Sequence, residues 1–181
     1  MDMTLNTPTK ITLIRVLTIP FLMWLIILSQ NNVFLGTISL ILFIASSLTD
    51  WLDGYLARKN NQITNLGKFM DQLADKAFVS GTMCALVWTH QVSYWLLAIV
   101  IIRDTAVSGI RMLAASKGEV VAANFFGKCK TSVQMVYLGL VIFSTVVQWP
   151  GQSVLNILAW VVGIITVLSG LTYFKGFQKY L

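Results

Sequence analysis

The sequence predicts an all-α integral membrane protein of six transmembrane helices, with both termini on the cytoplasmic side. Three observations predict it. The 181-residue chain is 56% hydrophobic and only 11% charged, with a mean hydropathy of +0.75, whereas soluble domains carry about 25% charged residues. Apolar stretches recur along 11–28, 33–49, 77–89, 91–114, 131–149 and 154–174, most of them near the roughly 20 residues a helix needs to cross a bilayer. The connections between them alternate between uncharged and basic. In lipid every backbone polar group must be satisfied within its own segment, so the spans are helical.

The first helix starts at "NTPTK", with Thr7 as N-cap and Pro8 at the first helical position. Residues 1–10 form a short cytoplasmic juxtamembrane segment. No Ala-x-Ala-like cleavage site follows the first apolar run, and "SQNNVF" leads straight into the second, so the first run is a crossing and not a secretion signal. The third run is too short unless its helix begins near Lys68, which carries Asp71, Asp75 and Lys76 toward the membrane. The fourth has Arg103, Asp104 and Arg111 embedded in it. Such charges are expensive in lipid unless they face an interior cavity and one another. The fifth and sixth runs complete a single domain over 1–181, leaving almost no chain for a separate soluble domain.

Orientation follows from the basic residues. The connections near 29–32, 89–91 and 148–153 contain no Lys or Arg. Lys10 and Arg15, then Arg58, Lys59 and Lys68, then Arg111, Lys117, Lys128 and Lys130, then Lys175 and Lys179 all fall on the other side, which is therefore cytoplasmic. Trp88, Trp95 and Trp149 fall near the uncharged side, as interfacial anchors do. The net charge of +6 belongs to one face of a membrane protein, suited to anionic headgroups or an anionic substrate, and is not a nucleic-acid footprint. Cys84 and Cys129, in different settings, predict neither a disulfide nor a metal-ligand pattern. His90 reads as a surface residue, Met23, Met83, Met112 and Met135 as packing, and Tyr173 and Phe174 as anchors of the last helix.

Four of the seven acidic residues, Asp50, Asp53, Asp71 and Asp75, lie between positions 50 and 75. Asp50, Asp53, Gly54 and Ala57 follow i, i+3, i+4, i+7 and share one helical face. Two carboxylates are thus followed by a smooth floor. Gly54 costs a helix about 1 kcal/mol against Ala, which implies a close approach to the backbone there. After "RKNNQITN", Gly67, Asp71 and Asp75 stack at i, i+4 spacing on the next helix. Antiparallel pairing of the two helices brings four carboxylates around one point. Four bare charges repel, and hard oxygen ligands suit Mg²⁺ or Mn²⁺. Two such ions imply in-line displacement at phosphorus. The plainer alternative, simple pairing with Arg58, Lys59, Lys68 and Lys76, explains neither the helical phasing nor the glycines.

These residues resemble the signature of the CDP-alcohol phosphotransferase family, D-x₂-D-G-x₂-A-R-x₈-G-x₃-D-x₃-D. Asp50, Asp53, Gly54, Ala57, Arg58, Gly67, Asp71 and Asp75 fill all eight fixed positions. The resemblance implies a six-helix membrane fold, usually a homodimer, with its active site on the cytoplasmic side of a bacterial inner (cytoplasmic) membrane. It implies transfer of a phosphatidyl group from CDP-diacylglycerol to an alcohol, releasing CMP. By it, Asp50, Asp53, Asp71 and Asp75 bind two Mg²⁺ or Mn²⁺ ions, with Asp75 also the general base. Gly54, Ala57, Arg58, Thr64 and Gly67 form the cytidine-diphosphate pocket.

The acceptor is read from other residues. Arg103 and Arg111, eight apart, can point into one cavity, and with Lys128 and Lys130 they exceed what a neutral alcohol needs. They fit an acceptor carrying its own phosphate. The stretch "IIRDTAVSGIRMLAASKGEVVAANFFGKCKTSVQMV" resembles the branch of the family that makes phosphatidylglycerophosphate. So does "NTPTKITLIRVLTIP", with Asn6, Thr12 and Arg15 as N-terminal support. That implies sn-glycerol 3-phosphate as acceptor, its phosphate held by Arg103, Arg111, Lys128 and Lys130. Three residues depart from the branch: Asp104 where Glu is usual, Gln72 where Pro is frequent, and Thr9 where Asn is common. The shorter Asp104 can orient Arg103 or Arg111 differently. Other acceptors within the same chemistry are an inositol phosphate and phosphatidylglycerol. A divalent-cation transporter is the rival of another class, but the outer halves of the six segments carry no acid.

Overall fold

The computed structural model describes the backbone of residues 7–59, 65–116 and 125–177, and side chains at 12–49 except 31, at 67, at 70–116, at 127 and at 129–174. Six helices make up the described chain: α1 (Thr7–Leu28), α2 (Val33–Lys59), α3 (Asn65–Trp88), α4 (Tyr94–Ser116), α5 (Phe125–Val147) and α6 (Gln152–Phe177), with a single 3₁₀ turn at Ser29–Asn31. No strand occurs among the described residues. Each predicted apolar run becomes one helix. α3 begins at Asn65, so the short third run is completed by the polar turns that carry Asp71 and Asp75.

The turns at the uncharged end are built from local caps. Asn32 Oδ1 accepts from the amides of Phe34 (3.0 Å) and Leu35 (3.3 Å) at the start of α2, and Ser93 Oγ accepts from Trp95 N (3.3 Å) at the start of α4. These satisfy N–H groups that a helix leaves without partners. His90, predicted to be a surface residue, is exposed there with φ 58°.

Packing closes the helices into a ring: α1 lies on α2, α2 on α5, α5 on α6, α6 on α4, α4 on α3, and α3 returns to α1. α3 and α5 also touch across it. α2 and α3, expected to pair directly, are not among the closely packed helix pairs of the described residues; α1 packs along both, and Phe43 of α2 stacks on Phe78 of α3 with ring centroids 5.3 Å apart. Ile19, Leu22, Met83, Leu86, Leu138, Val141 and Ile142 fill the centre.

The outer surface is apolar as well as the core, and several polar side chains are enclosed. Ser39, Thr82, Gln134, Thr166 and Ser169 are buried, whereas Leu17, Phe34, Ile102, Ile157 and Trp160 stand exposed. Two stretches, Cys129–Val147 and Gln152–Phe174, are long and apolar enough to cross a membrane, and Thr12–Leu28 and Val33–Thr49 are shorter apolar helices. α3 and α4 differ because Asp71, Asp75, Lys76, Arg103, Asp104 and Arg111 interrupt their apolar sequence.

Candidate active site

A cavity of about 410 Å³ lies between α3, α4, α5 and α6, in the half of the bundle where α3 and α5 begin and α4 and α6 end. Asp75 and Lys76 line it from α3, Arg103, Asp104 and Arg111 from α4, Lys130 from α5 and Tyr173 from α6. The eight-residue spacing of Arg103 and Arg111 does bring both into one cavity, as expected. Lys130 joins them. Lys128 is on the α5 backbone, and its side chain lies outside the described residues.

Each cation has a definite partner. Asp104 receives Lys130 Nζ on both carboxylate oxygens at 2.7 Å, and Arg103 Nη1 on Oδ1 at 2.9 Å. Of the two arginines that Asp104 could have oriented, it takes Arg103. The other end of Arg103 donates to Ser169 Oγ. Arg111 Nη2 donates to Tyr173 Oη at 3.0 Å. Both guanidinium carbons also lie over the Tyr173 ring, 5.5 Å from its centroid for Arg103 and 5.4 Å for Arg111. Stacking on an aromatic face is favourable for planar cations and holds two like charges in fixed orientation.

Tyr173 corrects the sequence reading. It is buried in the cavity wall, while its neighbour Phe174 is exposed as an anchor would be. Gly127 makes the seat: a Cβ there would stand 3.0 Å from Tyr173 Oη. Gly170 does the same for Arg103, whose Cγ would meet a Cβ at 3.3 Å. Ser108, Ser169 and Gln134 were also missed. A signal existed for part of this set, because Thr166, Ser169 and Tyr173 form a polar stripe at helical spacing in an otherwise apolar α6.

At the rim, Asp71 and Asp75 lie one turn apart on α3, as their spacing predicts. Their Oδ1 atoms stand 3.7 and 3.4 Å from the same atom, Nη1 of Arg15. Arg15 comes from α1, beside buried Thr12. Its side chain is 3% exposed against 48% for Asp71 and 37% for Asp75. This described partner comes from α1 and is distant in sequence from both carboxylates. The two carboxylates thus share one cationic atom.

Among the described residues no three Cys, His, Asp or Glu side chains gather closely enough to hold a metal. The residues do fit one chemically: Asp71 and Asp75 offer convergent hard oxygens, and Gly67 precedes them on the same face of α3. Asp50, Asp53, Gly54, Ala57 and Arg58 are on the last turns of the α2 backbone, with side chains outside the described residues, and Thr64 and Asn6 lie outside them altogether.

An all-helical bundle with a cationic cavity beside paired carboxylates is suited to handling phosphate esters. The family model for CDP-alcohol phosphatidyltransferases matches residues 5–168, and the chain belongs to that family; it is a transferase. Among its relatives, it is 39% identical over 181 residues to the CDP-diacylglycerol–glycerol-3-phosphate 3-phosphatidyltransferase of Bacillus subtilis (strain 168), covering 94% of each chain. Proteins of the same name from Wigglesworthia glossinidia brevipalpis (37% identical, covering 95% of this chain and 94% of that one) and Salmonella choleraesuis (36%, covering 94% of each) are also similar.

Proposed function

We propose that the chain transfers the phosphatidyl group of CDP-diacylglycerol to sn-glycerol 3-phosphate, giving phosphatidylglycerophosphate and CMP. It does so as a multi-pass protein of a bacterial cytoplasmic membrane, with six crossings and cytoplasmic termini, and as a homodimer. The single observation that carries this reading is the cavity in which Arg103, Arg111 and Lys130 converge beside Asp75. Similarity to relatives named for this reaction supports the choice of acceptor.

The acceptor phosphate enters the cationic cavity, joined by Lys128, and its hydroxyl is turned toward Asp75. Asp75 takes the hydroxyl proton as general base. The acceptor oxygen forms a bond to the lipid-side β-phosphorus, the bond from that phosphorus to the CMP oxygen breaks, and CMP leaves. Gly54, Ala57, Arg58, Thr64 and Gly67 hold the cytidine diphosphate, Arg58 by forking onto a phosphate oxygen. Asp50, Asp53, Asp71 and Asp75 would hold two Mg²⁺ or Mn²⁺ ions, which would supply stabilisation of negative charge during in-line displacement. Arg15 keeps Asp71 and Asp75 aligned from behind. Positioning and charge stabilisation supply most of the acceleration in such reactions.

The test is to supply the purified chain with CDP-diacylglycerol and, in turn, glycerol 3-phosphate, an inositol phosphate and phosphatidylglycerol, following CMP release and lipid product. Product with glycerol 3-phosphate alone is expected. Product with another acceptor alone would replace the acceptor. Divalent-cation flux into proteoliposomes without lipid product would return the transporter.

A further inference from the structure

We propose that Lys76, with Arg111, is a direct ligand of the acceptor's phosphate, whereas Arg103 and Lys130 are held in direct ion pairs with the one carboxylate of Asp104. The inference rests on the proposed function and names how that acceptor is recognised. Four cationic side chains line the cavity: Lys76, Arg103, Arg111 and Lys130. Two acids line it, Asp75 and Asp104. Asp75 faces Arg15 at 3.4 Å. Asp104 is engaged by Lys130 through both oxygens and by Arg103. Among the described residues no carboxylate stands within ion-pair distance of the other two cations, whose direct hydrogen-bond partners are hydroxyls. Arg111 donates to Tyr173 Oη, and Lys76 Nζ donates to Ser108 Oγ.

Ser108 is oriented for that role. Its own hydroxyl donates to the backbone oxygen of Asp104 at 2.5 Å, which turns the oxygen lone pairs toward the Lys76 ammonium. A neutral hydroxyl orients an ammonium without balancing its charge, and an unbalanced charge in a partly desolvated cavity is costly. Two such charges, on Lys76 and Arg111, match a phosphate monoester, which carries close to two negative charges at neutral pH. The Asp104 triad can then stay intact when the acceptor binds. Lys76 and Asp75 line the same cavity, so a phosphate held by Lys76 leaves the rest of a short acceptor near the proposed base. In the cavity wall, Lys76 also borders a second groove of about 260 Å³ between α3 and α4.

The full chain in detergent–lipid micelles tests this with two acceptors, glycerol 3-phosphate and its methyl phosphodiester, which carries one charge less. Lys76→Met should raise KM for glycerol 3-phosphate roughly ten- to a hundred-fold, the effect of losing a charged hydrogen bond. KM for CDP-diacylglycerol should move less than about two-fold, within the usual spread of such contacts. The preference for the dianionic over the monoanionic acceptor should fall about ten-fold or more, and Lys76→Arg should recover part of it. Should Lys76→Met prove inactive, the same loss is read as weaker calorimetric binding of glycerol 3-phosphate in an Asp75→Asn background, where no turnover is needed. An unchanged dianion preference, or an equal rise in both KM values, overturns the inference while leaving the proposed function standing. A wild-type chain that neither binds nor uses glycerol 3-phosphate overturns both.

Discussion

Arg103 and Arg111 are fixed by different neighbours, and the difference predicts different behaviour. Arg103 is held by the charge of Asp104 and by Ser169. Arg111 is held by the hydroxyl and the ring face of Tyr173. Tyr173→Phe keeps the ring and removes the hydroxyl that accepts from Arg111, a neutral–charged hydrogen bond worth about 1.5–3 kcal/mol at most. KM for glycerol 3-phosphate should rise several-fold while KM for CDP-diacylglycerol stays put. Tyr173→Leu, which also removes the cation–π contacts, should raise it further. Steady-state kinetics with each substrate varied separately checks both, and equal effects on the two substrates would contradict the role given to Tyr173. The arginines were legible at this scale, since their spacing alone placed them on one helical face. Tyr173 was not, because its role depends on Gly127, forty-six positions earlier, leaving room for its hydroxyl. Arg15 was legible as N-terminal support, but its contact with Asp71 and Asp75 depends on how α1 docks.

At the scale of the elements, the contact of α1 with α3 carries the carboxylate pair. Gly81 sits at its closest point: a Cβ there would lie 2.7 Å from Ile19 Cγ2 and 3.3 Å from Met23 Sδ. Ile19 is one turn beyond Arg15 on α1, so the steric fit at Gly81 sets how far Arg15 reaches toward Asp75. Gly81→Val should push the helices apart and destabilise the chain by about 1–3 kcal/mol, the usual effect of overpacking. A lowered midpoint of thermal unfolding in detergent, together with reduced turnover, is the expected result. An unchanged midpoint would mean that α1 slides without strain. The six helices could be counted from apolar runs, and the early start of α3 followed from the length a span requires. Their neighbours could not be counted in that way, because every helix has apolar surface to bury and several pairings satisfy it.

At the scale of the whole molecule, the exposed Leu17, Phe34, Ile102, Ile157 and Trp160 and the buried hydroxyls describe a surface matched to lipid and an interior that keeps polar groups from it. The proposed orientation puts the His90 turn outside the cell and the cationic cavity inside. With Cys84 and Cys129 replaced by Ser, a maleimide that cannot cross membranes should label His90→Cys in intact cells. Labelling only after lysis would reverse the orientation. Composition, the 3.6-residue period and the side on which Lys and Arg lie are properties of short stretches, so the sequence by itself determined the helix count, the family signature and the candidate carboxylates and cations. The ring order of the helices, the pairing of Asp104 with Lys130, the seat of Tyr173 and the meeting of Arg15 with Asp71 and Asp75 were decided by the tertiary structure alone. Those contacts join residues from 26 to 62 positions apart, and no local pattern encodes which distant side chain will arrive at a given face.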